Sequence, residues 1–110
     1  MKILMVENHA LFVEVVVPTF LSAHEVVVVP TIADAKVQYG EDFEVILVDY
    51  DLDDGKGDAF VRWLRSEGAT QPIVAISAHD EGNRRLRLAG AHSVCAKRDF
   101  ATVEAHLRSR

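Results

Sequence analysis

The sequence predicts a doubly wound α/β sandwich, a parallel sheet with helices on both faces joined by right-handed crossovers. Three observations carry this expectation. Short apolar, β-branched runs recur at residues 2–6, 25–29, 44–48, 72–76 and 93–96. Three of these runs (ILMV, VVVV and VILV) show no alternation of polar and apolar residues, which marks strands covered on both faces. Helix-like stretches of roughly ten residues separate the runs. With 110 residues, 49% hydrophobic and 26% charged, the chain has the size and composition of one globular domain spanning 1–110.

Each element has its own local signals. After the first run, Leu11, Phe12, Val15 and Val16 form a helical stripe from about Ala10. Residues 13–17 are rich in β-branched side chains and Pro18 follows, so this helix is expected to kink or end there. Thr31 is placed to cap a short helix before Gly40, with Asp34 three residues on as an imperfect capping box. Asp58 is the expected cap of a helix carrying Phe60, Val61 and Leu64 and ended by Gly68. Asp80 is the expected cap of the next, with Leu86 and Ala89 inward and Gly90 as the stop. Asp99 is the expected cap of the last, where Phe100, Val103 and Leu107 share a face.

Composition excludes several functions. No apolar run approaches the ~20 residues of a membrane span. The opening residues reach Glu7 without the apolar core of a signal peptide, so a cytoplasmic location and no membrane partner are expected. The single cysteine, Cys95, rules out an intrachain disulfide and a Cys-based zinc site, and it reads as a small buried hydrophobe. A net charge of −5 disfavours direct nucleic-acid binding. That charge is uneven. Eight acidic residues lie between Glu41 and Asp58 against Lys56 alone, and seven basic residues lie between Arg84 and Arg110 against Asp99 and Glu104.

In a doubly wound sheet the ligand site lies at the carboxyl ends of the strands. Four predicted strand ends carry polar residues there: Glu7 and Asn8, Asp49, Ser77, and Lys97. Oxygen donors of this kind suit a hard divalent cation, Mg²⁺ above all. A lysine and a hydroxyl beside the ion suit phosphoryl oxygens. A carboxylate among them can act as a nucleophile and form an aspartyl phosphate.

The chain resembles the receiver domain of two-component response regulators over its whole length. Val45 to Gly57 looks like the phosphoacceptor strand and its loop, 72–78 like the strand that ends in a switch Ser or Thr, and 90–97 like the fifth strand ending in lysine. The opening, 3–12, is similar to receivers that precede helix-turn-helix domains. The resemblance implies a flavodoxin-like α/β/α sandwich with five parallel strands in order 2-1-3-4-5. It implies Asp49 as phosphoacceptor, Ser77 as the switch hydroxyl and Lys97 as the conserved-type lysine, with Mg²⁺ held by Glu7, Asn8, Asp49 and the carbonyl of Asp51. The implied role is phosphorelay signalling rather than enzymatic turnover. The implied partners are a histidine kinase or phosphotransfer protein, a fused or separate output domain, and a second copy through the fourth helix, fifth strand and fifth helix, where Arg84, Arg85, Arg87 and Arg98 lie.

The sequence departs from that pattern in four places. Asn8 stands where the family mostly has a metal-binding Asp, which removes a negative charge. Val94 stands at the position of the aromatic switch. Arg98 follows Lys97 in place of a proline, and Pro18 interrupts the first helix. The first two departures keep a second reading open, a phosphorylation-independent receiver acting as a protein-interaction module. A third reading, a small aspartate-nucleophile phosphatase, shares the Asp49-x-Asp51 pattern but has no cap domain and no acidic motif after Lys97. An EF-hand is excluded, because Asp54 stands where the loop needs Gly and Phe60 where it needs Glu. The five histidines show no metal-ligand spacing and read mostly as surface residues, with His9 and His79 near the site, and Trp63 reads as partly buried packing.

Overall fold

The computed structural model describes residues 1–108; Arg110, counted above in the basic run, lies outside them. Five strands form one parallel sheet: β1 (Lys2–Val6), β2 (Glu25–Val29), β3 (Val45–Val48), β4 (Ile73–Ala75) and β5 (Ser93–Val94). Their order across the sheet is β2-β1-β3-β4-β5, the flavodoxin-like order. All four pairings are parallel, with Leu4 beside Val27 and Ile46, Leu47 beside Val74, and Ala75 beside Val94.

The apolar runs alternate between two cores. Leu4, Val6, Ile46, Val48, Ile73 and Ala75 face α2 (Ile32–Gln38), α3 (Gly57–Ser66) and α4 (Asp80–Ala89), packing on Ile32, Phe60, Leu64 and Leu86. Ile3, Met5, Val45, Leu47, Val74 and Ile76 face α1 (Ala10–Phe20) and α5 (Val103–Leu107), packing on Val16, Phe100, Val103 and Leu107. The central strands have no polar face because both faces are covered, which is why their sequences do not alternate. The VVVV run is different. It forms the edge strand β2, where only Val29 is buried and Val28 stays 37% exposed.

Four local expectations are corrected. Helix α1 runs through Pro18 to Phe20. Pro18 lies two residues before the helix end on an exposed turn, so its missing N–H frees a carbonyl only at the solvent side. Helix α3 begins at Gly57, with Lys56 in the cap position, and Asp58 lies in the first turn, paired with Arg62 at 2.7 Å. His79, not Asp80, occupies the cap position of α4. Asp99 sits inside a 3₁₀ segment (Lys97–Thr102), and α5 follows it with Thr102 at the cap position. The Thr31 cap is present, its hydroxyl accepting the Asp34 N–H at 3.1 Å. Of the histidines, His9 and His79 are exposed, whereas His24, His92 and His106 are half-buried. Cys95 is buried. Among the described residues no helix is long and apolar enough to cross a membrane.

Candidate functional site

The loops after β1, β3, β4 and β5 converge at one end of the sheet. Asn8, Asp49, Asp51, Ser77 and Lys97 line a cleft of about 280 Å³, with His9 and His79 also on its walls. Glu7 lies beneath, 2% exposed; Asp49 is 5% exposed and Ser77 1%. The backbone fixes these positions. Glu7 N–H bonds to Val29 O, Asp49 N–H to Val6 O, and Lys97 N–H to Ser77 O, so each residue is an extension of its strand's ladder. Every sequence-predicted site residue therefore stands at the same end of the molecule.

Lys97 is the hub of the site. Its Nζ is 2.9 Å from Glu7 Oε1 and 3.5 Å from Asp49 Oδ2, and it rests 4.7 Å above the Phe12 ring. Two carboxylates thus share one ammonium in a partly dry pocket. Burial first, and then the neighbouring Asp49 charge, push the Glu7 carboxyl up to about 7, against the opposing pull of Lys97 and the His9 N–H. The pocket accordingly carries more negative charge than its lysine offsets.

The acidic loop after β3 divides its carboxylates among distinct tasks. Residues Asp51–Leu52 and Gly55–Lys56 form a small antiparallel ribbon, closed by the Lys56–Asp51 ion pair at 2.5 Å. Asp53 accepts the Asn8 amide N–H at 2.8 Å. Asp54 accepts the N–H groups of Ile32 and Ala33 at 2.9 and 3.0 Å, which hold its carboxyl below the usual range. Gly57 turns the chain into α3, and a Cβ there would lie 1.9 Å from Asp49 O, so no other residue fits. That leaves Glu7 and Asp49 as the carboxylates of the pocket itself. Among the described residues no group of three or more His, Cys, Asp or Glu side chains is arranged to hold a metal ion. The donor set of Glu7, Asp49, the Asn8 amide oxygen and the Asp51 carbonyl is all oxygen and negatively charged. It fits a Mg²⁺ ion that takes one or two carboxylates and keeps several waters.

One residue behind the cleft, outside its lining, was not among the expected ones. Asn83, on the buried face of α4 and 3% exposed, makes two hydrogen bonds to the backbone of Ser77. The available signal was an amide three positions before Leu86 on the inward stripe of that helix. A wider cleft of about 550 Å³ lies at the other end of the sheet, walled by Tyr39, Trp63 and the turn at 67–71. It holds none of the predicted site residues. Trp63 is half-buried there, as expected, edge-on to Tyr39. The arginines expected as a partner face are engaged within the chain: Arg84 and Arg85 pair with Glu81, Arg87 bonds to His92 O, and Arg98 pairs with Asp80.

No family model matches the sequence, and no curated protein matches it. Solved structures align over almost all of it. The non-phosphorylated HemR receiver domain from Leptospira biflexa aligns at a TM-score of 0.82 with 19% identity, covering 99% of this chain and 95% of that one. The receiver domain of the Francisella response regulator 1452 aligns at 0.81 with 15% identity, covering 96% and 92%. The BeF3-activated N-terminal receiver domain of Klebsiella pneumoniae RstA aligns at 0.76 with 26% identity, covering 99% and 100%. With its strand order, its two cores and these alignments, the chain has the fold of the response-regulator receiver domains.

Proposed function

We propose that this chain is a receiver that accepts a phosphoryl group on Asp49 from a histidine kinase or phosphotransfer protein. The observation that supports it most is the Asp49 carboxylate at the end of a central strand, 3.5 Å from the Lys97 ammonium and in one cleft with Ser77. In the transfer an Asp49 oxygen attacks phosphorus, the phosphorus–nitrogen bond of the donor phosphohistidine breaks, and its electron pair stays on the imidazole. Asp49 becomes an acyl phosphate. Lys97 pairs with a phosphoryl oxygen, and the Ser77 hydroxyl turns to donate to another. Glu7, Asp49, the Asp51 carbonyl and Asn8 would hold Mg²⁺, which would neutralise charge at those oxygens. The chain acts as a phosphoacceptor that assists its own transfer, not as an enzyme turning over a substrate. A cytoplasmic location, an output domain and a homodimer through α4, β5 and α5 belong to the same proposal.

The test is intact mass after incubation with acetyl phosphate and Mg²⁺. Wild type is expected to gain one phosphoryl group and Asp49→Asn none. A wild type that stays unmodified, or an equal adduct on the variant, overturns the reading.

The shortage of acidic ligands supports a second reading. With Asn8 in place of an acid, the pocket keeps the carboxylates of Glu7 and Asp49, while that of Asp51 on the same cleft is paired with Lys56. A phosphorylation-independent interaction module would then keep the fold without the chemistry. It predicts no adduct and no effect of Mg²⁺ on the protein.

A further inference from the structure

We infer that Asn83 is a positioning residue that passes the state of the Ser77 hydroxyl on to helix α4; the inference rests on the phosphoacceptor reading above. Ser77 lies two residues past β4, and its N–H, its carbonyl and its hydroxyl oxygen are all engaged. Its N–H donates to Asn83 Oδ1 at 2.8 Å, and its carbonyl accepts Asn83 Nδ2–H at 3.0 Å. The same carbonyl accepts the Lys97 N–H at 3.3 Å. Its hydroxyl accepts the N–H of His79, the cap residue of α4, at 3.1 Å. Residues 77–83 are thus a closed ring, tied once through the serine hydroxyl and twice through the asparagine amide.

A buried amide is costly unless both of its ends are bonded, and a leucine would fill the same space without that requirement. The amide is therefore best explained by what it holds. The first turn of α4 also seats directly on the hydroxyl: a Cβ added to Gly82 would lie 2.7 Å from Ser77 Oγ and 2.9 Å from Tyr50 Cβ. When the hydroxyl turns into the cleft toward a phosphoryl oxygen, the His79 N–H loses its acceptor and the start of α4 is released. The two Asn83 bonds hold the Ser77 backbone to the second turn of the helix. The displacement is therefore carried into α4 and not absorbed in the loop. Val94, beside Ala75 on β5, has no aromatic ring that could rotate to perform this task.

The experiment pairs two readouts, intact mass for the adduct on Asp49 and amide hydrogen exchange across 79–89. Both are measured with and without acetyl phosphate and Mg²⁺, on wild type, Asn83→Leu and Asn83→Asp. Wild type is expected to gain the adduct and to change exchange in the first two turns of α4 several-fold. Asn83→Leu is expected to gain the same adduct while exchange at 79–83 is already fast and no longer responds. Asn83→Asp, which keeps the acceptor for the Ser77 N–H and the shape, is expected to respond in part, and it carries the test if the leucine variant does not fold. An adduct-dependent change in a folded Asn83→Leu equal to that of wild type overturns the inference and leaves the phosphoacceptor reading standing. Loss of the adduct in that variant also overturns it, since Asn83 would then serve the transfer itself. An unmodified wild type overturns both.

Discussion

Glu7 is the side chain whose titration the fold disturbs most usefully. Its carboxyl titrates near 7 in the folded chain against an ordinary value of 4.5, because burial and Asp49 both oppose its charge. A raised folded value means that the native state binds more protons than the unfolded chain between those two pH values. The stabilisation is complete below about 4.5 and is lost as pH rises through about 7, at up to ~1.4 kcal/mol per pH unit. In metal-free protein, wild type is therefore expected to lose about 2 kcal/mol between pH 5 and 8 from this group. Glu7→Gln should flatten that part of the profile and be the more stable protein at pH 8. Urea midpoints at the two pH values, in the presence of a chelator, measure the difference; parallel profiles for the two proteins would remove the claim. The sequence marked Glu7 as a candidate ligand from its place after the first strand. It could not mark the shift, which comes first from burial and then from Asp49, 42 positions away, both of which only the fold supplies.

At the scale of elements, strands were legible, but of the four expected N-caps only Thr31 was. A buried parallel strand writes its environment into itself as a continuous apolar run, so β1, β3 and β4 fall where their sequences predict to within a residue. Helix ends draw on distant groups. Helix α2 receives its second cap from Asp54, 22 residues downstream, and the start of α3 is set by the close approach of Gly57 to the Asp49 carbonyl. The carbonyls between α3, the turn after it and the end of α4 are gathered by Arg65, which donates to Gly90 O, Ala69 O and Gln71 O at 2.9–3.1 Å. Nothing in its spacing sets this arginine apart from the exposed Arg62. Arg65→Met is expected to destabilise the protein by about 2–3 kcal/mol, because three carbonyls lose their donor while the packing volume is kept. Arg62→Met, which breaks an exposed pair, should cost under ~0.5 kcal/mol. Equal effects of the two in urea unfolding would show that the clamp carries no special weight. Pro18→Ala is expected to stabilise by about 1 kcal/mol, since α1 continues past that position and the alanine restores a helical N–H.

For the whole molecule, the decisive property is that one small cooperative domain reports a local ligand as global stability. The order of the strands places the ends of β1, β3, β4 and β5 side by side, and this is why residues spread from 7 to 97 share a pocket. The four-stretch pattern in the sequence made that convergence legible, because each stretch ends a strand with its own polar residue. The Asn83 clasp was not legible, since an asparagine on a helix carries no record of the backbone it will hold. Position 8 tests the assembled site. Asn8 donates to Asp53 at 2.8 Å, so Asn8→Asp replaces a hydrogen bond by two facing carboxylates and adds charge to a pocket already short of cations. Without divalent ions this variant is expected to be less stable than wild type by about 1 kcal/mol. With Mg²⁺ the sign reverses, because a further carboxylate tightens the site by about tenfold, or ~1.4 kcal/mol, at saturating ion. Wild type itself should gain on the order of 1.4 kcal/mol when Mg²⁺ stands at ten times its dissociation constant, and Asp49→Ala should gain almost nothing. Thermal midpoints of the three proteins across a Mg²⁺ titration check the crossing directly. If Asn8→Asp and Asp49→Ala respond to the ion as wild type does, the cation sits elsewhere on this acidic surface and the Glu7–Asp49 pocket is not its site.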